Sequence, residues 1–335
     1  MKYQYRTHFT VGTLGLLILI LDAKTATGGM LHGLELCLKT LIPALYPFCV
    51  LSMLITDAAV GRRIRFLEPI GKLFGVPKGA ESLLLVGWLG GYPVGAQNVA
   101  AAFRQGYLSK QDAQRMAVIC NNPGPSFLFG VLGSVIPDKR RLWLLWGILI
   151  TGSLLTAQLM PSRESKATCS VGNSCRSFAA ILRDTAVSMV NICSCVVFFR
   201  MVLEFLNRWV LWVFPDFLTV VISGILELSN GCILLANLDD PCRALIIAAV
   251  LLSFGGLCVW MQTGSVCKGL DINNYICWKC IQAIICGSLA AAFSVPGATR
   301  FLIIIPFAVA AVLKYILSPG KKKDIALSES ILYNK

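Results

Sequence analysis

The sequence predicts an all-α polytopic membrane protein of about eight transmembrane helices, with two re-entrant hairpins set into an inverted repeat. Composition is the first reason. Of 335 residues, 56% are hydrophobic and only 14% charged, and mean hydropathy is +0.72, a balance that a soluble domain of this length could not keep in solution. The second is the recurrence of apolar runs of roughly 20 residues, the length that crosses a bilayer. The third is that two such stretches are interrupted in corresponding places. Gly90-Gly91-Tyr92-Pro93-Val94-Gly95 divides one apolar run and Glu227-Leu228-Ser229-Asn230-Gly231 divides its counterpart. Each is followed by a second run broken in its middle, at Asn121-Asn122-Pro123-Gly124-Pro125 and at Ser253-Phe254-Gly255-Gly256.

The elements follow in order. Residues 1–35 hold a span at about 8–24 and a linker. Lys2 and Arg6 ahead of Phe9 to Leu21 resemble the start of a secretory signal, but no small-x-small cleavage site follows Leu21-Asp22-Ala23, so this segment reads as a retained helix. Residues 36–160 form a first repeat with a span at 36–60, a hairpin at 80–104, a broken span at 113–136 and a closing span at 140–160. A cytoplasmic linker covers 161–178. Residues 179–294 repeat the plan with a span at 179–207, a hairpin at 214–238, a broken span at 242–266 and a closing span at 274–294. Residues 295–335 supply a last span at 298–317 and a basic tail.

Lys and Arg in short loops favour the cytoplasm. With both termini placed inside, most of the 30 basic residues fall on cytoplasmic stretches, among them Arg62, Arg63, Arg65, Arg104, Lys110, Arg115, Lys279 and the Lys321-Lys322-Lys323 tail. Lys139-Arg140-Arg141 falls on the opposite face. In this orientation the hairpin at 80–104 enters from the cytoplasm and that at 214–238 from outside, which makes the repeat inverted. Setting Gly133-Ser134-Val135 against Gly264-Ser265-Val266 also brings Ala117 onto Ala248 and Gly124 onto Gly255.

Irregular backbone at membrane depth survives only where protein or a water-filled cavity satisfies it, and its freed N–H and C=O groups become ligands. Asn121 and Asn122 precede Pro123, which disfavours helix at the residue before it, so their amides sit at a break and can both donate and accept. Glu227 is the only carboxylate in either hairpin core. A charge at the bilayer centre costs about 2.5–3.5 kcal/mol, so Glu227 should face a cavity or a partner. The candidate substrate-binding set is Gly91, Pro93, Gly95, Gln97, Asn98, Asn121, Asn122, Glu227, Ser229, Asn230, Ser253 and Gln262. Arg200 and Glu204 stand four apart on one helix face and read as a structural ion pair.

Other chemistries find no footing. The 14 cysteines lie mostly inside apolar runs and behave as small hydrophobes, and Cys277-Trp278-Lys279-Cys280 lacks the second pair a metal site needs. No catalytic residues, metal site or cofactor are expected. The sequence contains no HExxH, GxSxG or GxxxxGK[ST] element, so an enzyme or a nucleotide-driven pump is not expected. The net charge of +13 is accounted for by loops and tail near anionic lipid rather than nucleic acid.

The run GWLGGYPVGAQNVAAAFRQGYLSKQDAQRMAVICNNPGPSFLFGVLGSV, with Glu227, Ser229-Asn230-Gly231, Ser253-Phe254-Gly255-Gly256-Leu257 and Gln262, resembles the YlbJ/SpoVV family of sporulation integral membrane proteins. That family carries paired nucleoside-recognition (Gate) domains, and the resemblance covers about 36–315. It implies a multi-pass protein of the cell membrane, with the lipid bilayer and a small-molecule solute as partners and room for a homo-oligomer. It implies a secondary transporter of a small polar organic solute, dipicolinate in spore formation being the leading candidate, by alternating access at a midplane site. A nucleoside-type carrier and a channel-like subunit of a membrane complex are the alternatives. In the carrier reading Glu227 is suited to a coupling H+ or Na+. Pro123 and Pro125 around Gly124 depart from the less proline-rich break expected of the family, which bears on the substrate more than on the fold.

Overall fold

The computed structural model describes residues 2–59, 62, 64–161 and 176–294. The expected span at 298–317, the basic tail and most of the 161–178 linker lie outside the described residues. Within the described residues all regular structure is helical. In chain order the α-helices are α1 (Lys2–Leu21), α2 (Ala23–Leu36), α3 (Ile42–Ala59), α4 (Glu68–Phe74), α5 (Glu81–Gly90), α6 (Val94–Arg104), α7 (Lys110–Cys120), α8 (Pro125–Gly130), α9 (Lys139–Leu159), α10 (Phe178–Trp209), α11 (Asp216–Leu226), α12 (Leu228–Leu234), α13 (Pro241–Phe254), α14 (Gly256–Val266) and α15 (Ile272–Ser294).

Among the described residues, five stretches are long and apolar enough to cross a membrane: Ala23–Ala59, Lys139–Leu159, Phe178–Trp209, Pro241–Val266 and Ile272–Ser294. The first joins α2 to α3 through a π-helical turn, Cys37–Leu41. Pro43 follows that turn, and its missing N–H would leave the Lys39 carbonyl unmatched in a regular ladder, so a widened turn is an economical route through it. The expected span at 8–24 corresponds to the shorter apolar stretch Phe9–Leu21. The expected broken span at 113–136 is divided where Asn121-Asn122-Pro123-Gly124 stands: α7 stops at Cys120, α8 starts at Pro125, and Leu132–Ser134 is a single 3-10 turn. The 242–266 stretch breaks at Gly255, which has φ of 86°. Both interrupted runs form helical hairpins, α5 with α6 and α11 with α12.

Packing is densest where small residues let backbones meet. α2 lies along α10, and Gly29 and Gly33, one turn apart, face it. A Cβ on Gly29 would lie 2.8 Å from the Met201 Cα, and one on Gly33 would lie 2.8 Å from the Val197 Cα. This is the small-xxx-small contact by which membrane helices associate, since lipid offers them no hydrophobic drive to do so. Glu204 faces His32 across this contact at 3.7 Å, and the expected Arg200–Glu204 pair does not form among the described residues. α15 packs against α13 and α9 and closes the bundle. One apolar core gathers residues from α3 and α8 to α15, including Leu45, Leu128, Leu145 and Leu252. A second lies around α4 to α7 and includes Phe74, Leu84, Val99 and Ile119. Large apolar side chains such as Leu21, Leu31, Leu51, Val190 and Phe198 remain exposed, as on a surface that meets hydrocarbon chains. The chain is a helical membrane protein.

Two basic residues expected on cytoplasmic stretches are buried. Arg115 is buried, and its Nη2 donates to the carbonyls of Phe74 and Ala157 at 2.7 Å each, which ties the end of α4 to α9. Lys279 is 2% exposed and lies in the interior.

Replacing Gly33 with Leu forces α2 off α10, and overpacking of this kind costs about 1–3 kcal/mol. Gly33→Leu is therefore expected to lower the melting temperature in detergent and reduce the monodisperse yield. Gly28→Leu, where an added Cβ meets nothing within 4 Å, is expected to leave both unchanged.

Candidate functional site

The site is built on the end of α7. A helix terminus leaves its last carbonyls without intrahelical partners, and in the middle of a membrane protein water is not there to take them. Those of Ile119 and Asn121 meet side-chain donors, and that of Cys120 is packed against two glycines. The Ile119 carbonyl accepts from Asn122 Nδ2 at 2.8 Å, Ser153 Oγ at 3.0 Å and Trp88 Nε1 at 3.3 Å. The Cys120 carbonyl points between Gly87 of α5 and Gly95 of α6, and a Cβ on either glycine would collide with it. The Asn121 carbonyl accepts from Lys279 Nζ of α15 at 2.6 Å.

The two asparagine side chains extend this network across the molecule. Asn121 Nδ2 donates to Thr263 Oγ1 of α14 at 3.0 Å and to the Tyr275 hydroxyl of α15 at 2.8 Å. Its Oδ1 accepts from the Ala96 N–H in the first turn of α6 at 3.4 Å. Asn122 Oδ1 accepts from Lys279 Nζ at 2.9 Å and from Gln282 Nε2 at 2.7 Å. Lys279 completes its three donors on Gln282 Oε1 at 3.0 Å. All of its acceptors are neutral oxygens, and Asn121, Asn122, Thr263 and Gln282 are themselves at most 4% exposed. The pair of amides at the break is thus a junction that holds the first hairpin, the second broken helix and the closing helix together.

The second half solves the same problem differently. Between α11 and α12 the chain is extended at Glu227, and its carboxylate accepts from the backbone N–H of Ser229 at 2.9 Å and of Asn230 at 2.7 Å. Glu227 therefore caps its own helix while sitting at 1% exposure. The relation of hairpin to break recurs in both halves. A Cβ on Gly124 would lie 2.6 Å from the Leu89 carbonyl at the end of α5, and one on Gly256 would lie 2.7 Å from the Gly224 carbonyl near the end of α11. In each half the break seats its glycine against the last turn of the first hairpin arm.

Two small spaces are lined in part by α14. One of about 20 Å³ is lined by Tyr92, Phe127, Glu227, Ser229, Cys258 and Gln262, room for about one water. The other, about 10 Å³, is lined by Gln114, Ala117, Thr263, Asp271 and Tyr275. Gln114 also lines a polar cleft of about 210 Å³ with Gln111, Arg115, Asn274 and Trp278. Gln262 faces the first space and its neighbour Thr263 the second. Thr263 and Tyr275, both of which accept from Asn121 Nδ2, line the second space. The Tyr92 hydroxyl and the Nδ2 atoms of Asn98 and Asn230 are buried without a protein partner.

Of the candidate residues, Gly91, Gly95, Asn121 and Asn122 meet at the first break, and Glu227, Ser229 and Gln262 meet at the first space. Pro93 caps α6. Gln97 lies apart, accepting from Ser188 Oγ of α10 at 2.9 Å, and Ser253 Oγ returns to the Ala249 carbonyl of its own helix. Ser153, Thr263, Tyr275, Lys279 and Gln282 were not among the candidates. A signal for the last three exists in the sequence. Lys279 is an ionisable residue inside an apolar run, which marks a functional position by default, and Tyr275 and Gln282 share its helix face at i−4 and i+3.

Asn122→Leu removes acceptors from a buried ammonium and is expected to cost about 1.5–3 kcal/mol, read as a lower melting temperature in detergent. Ser253→Ala, which loses only a bond within its helix, is expected to stay within about 1 kcal/mol of the parent.

Over 102 residues the chain is 31% identical to the sporulation integral membrane protein YlbJ of Bacillus subtilis (strain 168). The match covers 30% of this chain and 25% of the length of that relative. No family model matches the chain, and no solved structure does. The protein is thus a helical membrane protein with partial similarity to a sporulation integral membrane protein.

Proposed function

We propose that this protein is a secondary transporter of a small polar organic solute, working by alternating access between two inverted repeats. The observation that carries the reading is the pair of small spaces that α14 helps to line, one at Cys258 and Gln262 and the other at Thr263, where the hydrogen bonds of Asn121 to Thr263 and Tyr275 border the second. A carrier needs a site with two closures that open in turn, and here the closures belong to different parts of the chain. On one side lie the Tyr92 tip and Glu227; on the other lie Thr263, Tyr275 and the cleft at Gln111 and Gln114. At about 20 Å³ and 10 Å³ neither space is large enough for such a solute, so in this reading the site widens when solute binds.

The lining suggests what opens it. Tyr92 and Phe127, with ring centroids 6.2 Å apart, both line the first space and suit a planar solute, with Tyr92 and Gln262 as polar contacts. The N–H groups at the second hairpin tip are taken by Glu227, so a carboxylate-bearing solute would be met by these side chains rather than by the tip backbone. Glu227 is the proposed seat of a coupling H+ or Na+, since neutralising it would weaken its hold on the N–H groups of Ser229 and Asn230 and loosen the tip. In this reading the protein is multi-pass in the cell membrane, the Arg104 to Lys110 side faces the cytoplasm, and it is not an enzyme. Dipicolinate, a planar dicarboxylate, is the first solute to test, given the partial similarity to a sporulation protein.

Purified protein in proteoliposomes is expected to take up labelled dipicolinate saturably. Glu227→Gln and Asn121→Ala are each expected to reduce uptake about 10-fold or more, the equivalent of a lost charge-assisted or buried hydrogen bond of about 1.5 kcal/mol. Uptake of uridine instead would move the assignment to a nucleoside-type carrier. Folded protein that moves neither would overturn both and leave a channel-like subunit of a membrane complex.

A further inference from the structure

The first break holds a cation of its own. The C-terminal end of a half-helix carries partial negative charge and free carbonyls, and broken membrane helices use such ends to hold coupling cations. At the end of α7 that position is occupied by Lys279 Nζ, 2.6 Å from the Asn121 carbonyl and 2.9 Å from Asn122 Oδ1. Gln282 Oε1, at 3.0 Å, supplies a third neutral oxygen. The set has the composition of a monovalent cation site, one backbone carbonyl and two amide oxygens, and no carboxylate contacts the ammonium among the described residues. The Tyr275 ring adds its face at 5.8 Å. An ammonium that served only packing would be expected to have a carboxylate counter-ion at this depth; here the helix end and the amides take that part.

We propose that the Lys279 ammonium is a tethered substitute for the coupling cation at this break, so that the first half of the protein carries its cation permanently and draws none from solution. The tether comes from α15, the closing helix of the other half, so breaking these bonds would separate α15 from α7. A soluble cation would have to leave the site between cycles, whereas a tethered one can only swing with its helix. The inference deepens the carrier reading in its transport arm; the binding arm below stands without it.

The test is the melting temperature of purified protein in detergent with methylammonium chloride, sodium chloride or tetramethylammonium chloride at equal ionic strength. Lys279→Ala leaves the three oxygens and an empty volume. Its melting temperature is expected to rise with methylammonium, which donates N–H bonds, and not with tetramethylammonium, which has the same charge and no donor. The wild type is expected to respond equally to all three salts. A Lys279→Ala protein indifferent to methylammonium would overturn the proposal. So would a wild type stabilised by sodium over tetramethylammonium with the gain lost in Asn122→Ala. If Lys279→Ala does not fold, the wild-type salt comparison still decides, together with Lys279→Met, which keeps the volume without the charge. Loss of uptake in folded Lys279→Met supports the tethered cation, and uptake at the wild-type rate overturns it. Wild type that transports no solute refutes the carrier reading alone, and the melting comparison remains decisive for the cation.

Discussion

The arrangement depends on a helix that stops inside a membrane protein. Ending α7 at Cys120 frees carbonyls at a depth where water cannot answer them, and each unpaired polar group there would cost several kcal/mol. The neighbourhood is organised around that debt. Trp88 and Ser153 reach the Ile119 carbonyl, Lys279 reaches that of Asn121, and Gly87 and Gly95 stand back so that the hairpin can lie over that of Cys120. Because these groups come from α5, α6, α9 and α15, satisfying one helix end also fixes how four other helices sit.

The two halves share a geometry and differ in electrostatics. In both, a glycine of the break rests on the last turn of the first hairpin arm. At the first break a cation from α15, Lys279, meets a helix C-terminus, and in the second half a carboxylate, Glu227, meets a helix N-terminus. Each charge matches the end it meets. They differ in reach, because Glu227 satisfies its own helix and Lys279 satisfies one from the other half. A rearrangement of the second hairpin tip can therefore begin locally, whereas opening the first break has to disturb α15 and α14 together.

The spaces beside α14 give this asymmetry a functional direction within the proposed carrier. Gln262 and Thr263 are adjacent in the chain yet face different spaces, so a modest rotation or shift of α14 would exchange what is exposed on either side. Its C-terminal end is tied to the first hairpin by Arg104 Nη1 on the Val266 carbonyl at 3.1 Å. α14 also begins at Gly256, where φ is 75°, a conformation open to glycine and strained for other residues. A helix anchored at one end and hinged at the other is suited to transmit the state of one half to the other.

Much of this was legible in the residues. Apolar run length marks the long helices because a bilayer has a set thickness, and Pro123, Pro125 and the glycine pair at 255–256 mark the breaks because backbone geometry is a local property. The hairpin tips at Gly91 and Glu227 were legible for the same reason. The break at 121–125 was legible in this way, and 113–136 accordingly forms two short helices and a 3-10 turn. Lys279 shows where local reading stops. Its place inside an apolar run marks it as unusual without naming a partner, and only the packing of α15 against α7 and α9 brings its ammonium to Asn121 and Asn122. Composition and chain geometry specify where a helix must end; which distant side chain answers the freed carbonyls is settled by packing, because that partner lies more than 150 positions away and is chosen by three-dimensional proximity.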